Sequence, residues 1–281
     1  MAFSTLLTPE DVVVIEELDQ LTDQVRREAS QMGAQEVRFL VDTYYQIQEQ
    51  RKATANQTRA LGEADEPIAL LSHFEKLNAY TENRTKQMLQ AYAEAKADAS
   101  WAMSIRGIGP VIAAGLAAHI DITLVPTAGH IWRFAGLDPT IEWNKKQKRP
   151  WNAKLKTLCW KVGESFVKVS NRDDDIYGHI YASRKRLEEE RNEAGLFADQ
   201  AEAKLEKYKI GQTTEAYKAY SKGKLPPAHI HSRAKRYAVK LFLSHYHHVA
   251  YEVEFGKAPP KPYILTQPNH THYMGPPNWP M

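Results

Sequence analysis

Two glycines and a proline interrupt a helical pattern at Ser104-Ile105-Arg106-Gly107-Ile108-Gly109-Pro110-Val111. These residue types suit one kind of chemistry, the holding of an anion by backbone amides. Gly107 and Gly109 tolerate positive φ and put no Cβ in the way of a phosphate. Ile108 is expected to plug the space between the flanking helices, and Arg106 adds a charge beside the turn. Pro110 suits the first position of a helix, where no N–H is needed. The amides from Val111 onward would then open the helix as an anion site. Ala113, Ala114 and Gly115 are small enough for two helices to approach closely. The plainer alternative is a tight corner in which glycine serves packing alone.

Charge gathers downstream. Arg133, Lys145, Lys146, Lys148, Arg149, Lys154, Lys156, Lys161, Lys168 and Arg172 face only Asp138, Glu142 and Glu164, a net of +7 over the segment. Trp143 and Trp151 interrupt the basic run. Flat aromatics among cations can stack on unpaired bases; as core anchors under a loop they would serve packing instead. A helical corner with this charge beside it resembles the helix-hairpin-helix motif, which grips a phosphate backbone without reading sequence.

Other residues could do chemistry and are read more plainly. His229, His231, His245, His247, His248, His270 and His272 crowd the C-terminal part. In a helix His245 and His247 sit about 200° apart, whereas His245 and His248 share a face. With no Cys nearby, ordinary histidines are expected rather than a metal site. Asp173-Asp174-Asp175 is read as the acidic start of a helix. Arg233, Lys235, Arg236 and Lys240 form a second basic face, read as solvated surface.

The elements that must position these residues are helical. Thr8-Pro9-Glu10-Asp11 looks like a helix start, followed by a helix through Met32 that Gly33 interrupts. A second run ends near Gly62, and a third covers Ile68 to about Ser104, with Leu70, Phe74, Leu77, Met88 and Tyr92 as its apolar stripe. These long polar helices suit an antiparallel hairpin or coiled coil, packed within one chain or pairing two copies. A short helix capped at Thr127 stops at Gly136, and amphipathic helices follow at Ala153–Asn171 and beyond Asp175. Two short runs around Ala198–Tyr208 and Thr213–Tyr220 precede a last helix over His229–Phe255. The final segment holds 7 of the 15 prolines and is expected to lie extended along the body, with Tyr263, Tyr273 and Trp279 as anchors. No segment has the period of a strand, so the fold is expected to be all-α.

The 281 residues carry a net charge of +3, unevenly spread. Residues 1–100 hold 17 acidic and 10 basic side chains, and the remainder 17 and 27, so an acidic third joins a basic remainder. That asymmetry favours a polyanion as partner. Cys159 is single and cannot form an internal disulfide; with no signal peptide and no membrane-spanning run, a cytoplasmic location is expected.

Three stretches together carry a family resemblance. Gly107-Ile108-Gly109-Pro110, Phe134-Ala135-Gly136-Leu137-Asp138-Pro139, and the basic loop leading into Ala153-Lys154-Leu155-Lys156 resemble the C-terminal transposase domain of the bridge-RNA-guided DEDD insertion-sequence transposases. In that family a coiled coil precedes the domain, as the long helices do here. The family also has a resolvase-like domain whose four carboxylates hold magnesium, and this chain has no strand-rich segment to match it. The family places a nucleophilic Ser, followed by Gly, soon after the Gly-Leu-x-Pro turn. Here GLDPTIEWNKKQKRP offers only Thr140 as a hydroxyl, and Ser165 and Ser170 lie further on without an activating partner.

The expectation is therefore a helical arm over residues 1–103, a transposase-like domain over 104–255 and an extended tail over 256–281. The arm would form a homodimer. The contacts to DNA, duplex or branched, would come from Arg106, Gly107, Ile108, Gly109, Val111, Arg133, Lys145, Lys146, Lys148, Arg149, Trp151, Lys154 and Lys156. No catalytic residue, metal or cofactor is assigned. An active transposase completed by a partner chain or guide RNA, and a helical assembly protein with no nucleic-acid role, are the alternatives.

Overall fold

The computed structural model describes residues 16, 20–64, 68–260 and 273–280. Among them every regular element is helical, as the sequence pattern predicts. They divide into two compact units. The first comprises residues 1–103 and 109–121; the second comprises residues 104–108 and 122–281. The expected helix start at Thr8-Pro9 lies outside the described residues, as do Tyr263, His270 and His272.

The first unit holds α1 (Asp23–Ser30), α2 (Ala34–Glu63), α3 (Ala69–Glu94), α4 (Ala97–Met103) and α5 (Pro110–His119). The long helices α2 and α3 run antiparallel, because Arg51 Nε meets Glu82 Oε2 at 2.5 Å while Gly62 lies against Ile68. Glu82 also accepts from Gln48 at 3.0 Å. Burial raises the carboxyl pKa of Glu82, but the bonds from Arg51 and Gln48 outweigh it and hold the group low. Val37, Val41, Leu89, Tyr92 and Ala93 form the core at one end of the hairpin, with Ala113, Ala114 and Leu116 of α5 fully buried. Of the apolar stripe of α3 only the far end joins that core, through Tyr92; Leu70, Phe74 and Leu77 are 79, 56 and 52% exposed.

Two expected continuous helices are broken. The run to Met32 is interrupted at Leu21, which takes φ +50° with its side chain buried. Thr22 then restarts the chain as an N-cap, its Oγ1 accepting from Val25 N–H at 3.3 Å. The run to Ser104 breaks after Glu94, and α4 leaves as a separate helix that buries Ala99, Trp101 and Ala102. In both places the burial of a few apolar side chains overrides good helix formers.

The second unit is built on α11 (Pro227–Phe255), against which α6 (Ala128–Phe134), α7 (Ala153–Val169) and α8 (Tyr177–Glu193) pack. Phe166 stacks on Tyr177 with centroids 4.9 Å apart, and Phe242 meets both rings edge-on. Two short helices, α9 (Ala198–Lys207) and α10 (Glu215–Tyr220), close a second cluster of Phe197, Ala201, Tyr220, Leu225 and Ile230. Glu188 is fully buried and lies between Arg184 and Arg233.

Residues 273–280 dock on the same unit. Met274 C=O pairs with His245 Nε2 at 2.8 Å, Trp279 Nε1–H donates to Glu252 at 2.6 Å, and Asn278 Nδ2 donates to Ser104 C=O at 3.2 Å. No helix among the described residues is long and apolar enough to cross a membrane.

Candidate nucleic-acid interface

The turn takes its shape from Gly107. Its φ is +92°, and a Cβ there would lie 3.1 Å from Ser165 Oγ and 3.2 Å from Val169 Cγ2. Ser165, on α7, donates its hydroxyl proton to the Gly107 carbonyl. Ile108 N–H closes on Ile105 C=O at 3.0 Å, and the Ile108 side chain is buried. Gly109 departs from the expectation of a second positive φ. Its φ is −94°, an extended value open to any residue, and nothing stands within 4 Å of a Cβ placed there. Pro110 occupies the first turn of α5, and Ala113 N–H makes the first bond back to Gly109 C=O. The Val111 and Ile112 amides precede that ladder, as helix starts require, whereas the Val111 side chain is buried. Arg106 is engaged locally, Nε donating to Asp174 at 2.9 Å.

The basic loop has its own scaffold. Gly136 ends α6 at φ +64°, with Trp151 Cγ only 2.8 Å from where a Cβ would sit. The Asp138 carboxylate accepts from Thr140 N–H at 2.9 Å and from its hydroxyl at 2.7 Å, and these bonds hold the Asp138 carboxyl low. Trp143 Nε1–H donates to Gln147 C=O at 2.8 Å across a tip where Lys146 adopts φ +78°. Asn152 N–H bonds Phe134 C=O, and its side chain caps α7 through the amides of Lys154 and Leu155, each at 3.0 Å. The result presents Lys145, Lys146, Lys148 and Arg149 to solvent, with Lys154 and Arg133 also exposed. Among the described residues no carboxylate lies within salt-bridge distance of Lys145, Lys146, Lys148, Arg149 or Lys156.

An open cleft of about 520 Å³ lies between this loop and α7. Trp143, Trp151 and Trp160 form its aromatic wall, with Arg149, Lys156 and Thr157 beside them. Trp143 and Trp151 meet edge-on, centroids 6.2 Å apart. Lys156 Nζ stands 4.2 Å from the Trp151 ring centre and Arg149 Cζ 5.5 Å from that of Trp143. Desolvation lowers the Lys156 pKa, and the neighbouring charges of Arg149 and Arg236 lower it further. Two basic segments separate in sequence thus come together: Lys235 of α11 lies 5.5 Å from the Trp160 ring centre, and Lys240 lies 4.1 Å from that of Trp132. The α11 charges, which the sequence suggests are plain solvated surface, adjoin the loop charges.

Trp160 is a site residue that the sequence pattern does not single out. It stands on the polar side of α7, opposite Leu155, Leu158, Cys159 and Val162, and is 56% exposed. Its one signal is its helical position one turn beyond Lys156, on the face that should carry only polar residues.

The histidines are internal partners. His245 Nδ1 accepts from Tyr177 at 2.6 Å, His231 Nδ1 pairs with Tyr181 at 2.7 Å, and His247 Nε2 pairs with Val125 C=O at 2.8 Å. His248, which shares a face with His245, is held by Glu252 and Tyr273. Among the described residues no cluster of His, Cys, Asp or Glu could hold a metal. Asp174 pairs with Arg106, and Asp175 is buried facing the Gly178 and His179 amides, where burial raises its carboxyl pKa. Cys159 is buried and its thiol is pushed up to about 12, so it stays protonated. Ser170 bonds the Val167 carbonyl at 2.8 Å.

No curated protein and no solved structure matches the chain. A family model does match, over residues 99–155, which hold the turn, α5, α6 and the basic loop up to the first turn of α7. That model describes the transposase IS116/IS110/IS902 family, so this segment of the chain is transposase-like.

Proposed function

We propose that the chain is a sequence-tolerant DNA-binding protein. It grips the phosphate backbone through the turn at Gly107–Val111 and through Arg133, the basic loop from Lys145 to Trp151, and the α7 start at Lys154 and Lys156. The observation that carries this reading is the crowding of Arg149, Lys156 and Arg236 with no carboxylate partner among the described residues, in and beside the transposase-like segment. Like charges held together in partly desolvated surroundings repel one another, and a polyanion relieves that repulsion. The α2–α3 arm pairs two copies through the exposed stripe of Leu70, Phe74 and Leu77.

This reading assigns the chain no strand-transfer chemistry of its own; the hydroxyls of Ser165 and Ser170 donate to backbone carbonyls. The transposase-like match also favours a second reading, an active recombinase completed by a partner chain or a guide RNA. Mobility shifts at rising salt test the first reading: log K should fall linearly with log salt. Absence of binding, or binding indifferent to salt, overturns it. Nicking or strand transfer with magnesium once a partner chain or guide RNA is added would replace it with the second.

A further inference from the structure

The three tryptophans of the cleft are not equivalent. Trp151 is clamped, with Lys156 over its ring and the Gly136 backbone against Cγ. Trp143 is oriented by its bond to Gln147 and carries Arg149 near its face. Trp160 has Lys235 Nζ 5.5 Å from its ring centre, as far as Arg149 Cζ stands from that of Trp143, but it is the large exposed ring of the three and stands on a long helix capped by Asn152 and backed by core residues. An exposed tryptophan fixed on a rigid element, at the edge of a cleft, offers a stacking face.

The charges around it restrict the occupant. Arg149 and Lys156 line the cleft and Lys235 adjoins Trp160, while the acid beside them, Glu164, is already paired with Lys235. A cation, the usual guest of an aromatic cage, would be repelled. An anion with a flat ring is accepted. The volume lies within the ~300–1,000 Å³ range of small-molecule sites, which suits one nucleotide. Bases inside a duplex also keep their faces stacked and out of reach.

We propose that this cleft seats one unpaired nucleotide of DNA, its base on Trp160 and its phosphate between Arg149 and Lys156. The inference rests on the backbone-binding reading and adds to it a preference for DNA with an extruded or unpaired base. Stacking of one base on an aromatic side chain is worth ~1–3 kcal/mol, about tenfold in affinity in the lower part of that range.

The test compares three probes with the full chain: an intact duplex, the same duplex with a one-thymidine bulge, and the same bulge made abasic. The thymidine bulge should bind about tenfold tighter than either of the others and quench tryptophan fluorescence. Trp160→Ala should bring the ratio of bulged to intact affinity close to one, and Trp160→Phe should restore part of it. Equal binding of thymidine and abasic bulges, or a preference that survives in Trp160→Ala, overturns the base seat. A bulged RNA duplex bound more tightly than bulged DNA overturns its assignment to DNA. Failure to bind even the intact duplex strikes instead at the backbone-binding reading, so the two failures are distinct.

Discussion

Ser165, in the middle of α7, donates its hydroxyl proton to the carbonyl of Gly107, 58 residues earlier in the chain. The one residue of the turn with positive φ is thereby fixed from outside the turn. Ser165→Ala should lower stability by about 1 kcal/mol, the worth of a typical hydrogen bond. Gly107→Val should cost about 1–3 kcal/mol, because an L-residue at φ +92° is strained and its Cβ crowds Ser165. Urea unfolding followed by tryptophan fluorescence checks both. A Gly107→Val midpoint equal to that of the wild type would show that the turn is not held as described.

The loop lysines and Arg106 should behave differently towards DNA. Replacing Lys145, Lys146 and Lys148 together by Gln should make the slope of log K against log salt shallower. The change should be about 0.9 for each phosphate no longer neutralised, about 3 in all. Arg106→Gln should alter the slope by less than 0.9, the value for one phosphate, since its guanidinium is already shared with Asp174. Mobility shifts across a salt series measure both; an Arg106 effect as large as that of a loop lysine would mean that Arg106 leaves Asp174 on binding.

Acid should destabilise the second unit through His245. Burial lowers its pKa from 6.5 to about 4, against the opposing effect of the Met274 carbonyl. The folded ring therefore stays neutral where the unfolded chain takes up a proton. Stability from this group is complete above pH 6.5 and is lost as the pH falls through the window down to about 4, by about 3 kcal/mol in total. His247, His229 and His231 are also lowered, burial being the largest cause in each, and they act in the same direction. Urea midpoints at pH 7.5, 6 and 5 should decline in that order.

The exposed stripe of α3 should govern self-association. Phe74→Glu combined with Leu77→Glu places charges on exposed positions, so helix content by circular dichroism should hold. Sedimentation should show the wild type as a dimer and the double variant as a monomer at the same concentration. A wild-type monomer at every concentration reached would refute the pairing.

Much of this architecture is legible in the residues. Helical spacing, the Thr127 start, the Gly136 stop and the Pro110 start all act within one or two turns of chain, so local chemistry reveals them. The breaks at Leu21 and after Glu94 are not legible, because they are decided by what the following segment buries. The same holds for the site. Clustered loop cations can be read from the sequence directly, but Arg236 joining Lys156 depends on how α11 packs on α7. Gly109 shows the opposite error: two glycines in one turn suggest two unusual backbone angles, and only Gly107 needs one. The histidines read as ordinary side chains, but their partners, tyrosines, carbonyls and Glu252, lie up to 122 residues away and are not legible from spacing.

The docking of Met274 on His245 ties the exposed residues 273 and 274 to a buried side chain of α11. A protease cut that released this segment would exchange the Met274 carbonyl for water at His245 Nε2–H, a loss of about 0.5–1.5 kcal/mol, the net worth of one hydrogen bond. It would also strip Trp279 from Glu252. Limited proteolysis at the C-terminus is thus a probe of core order far along the sequence, and tags or fusions there act on folding as well as on handling.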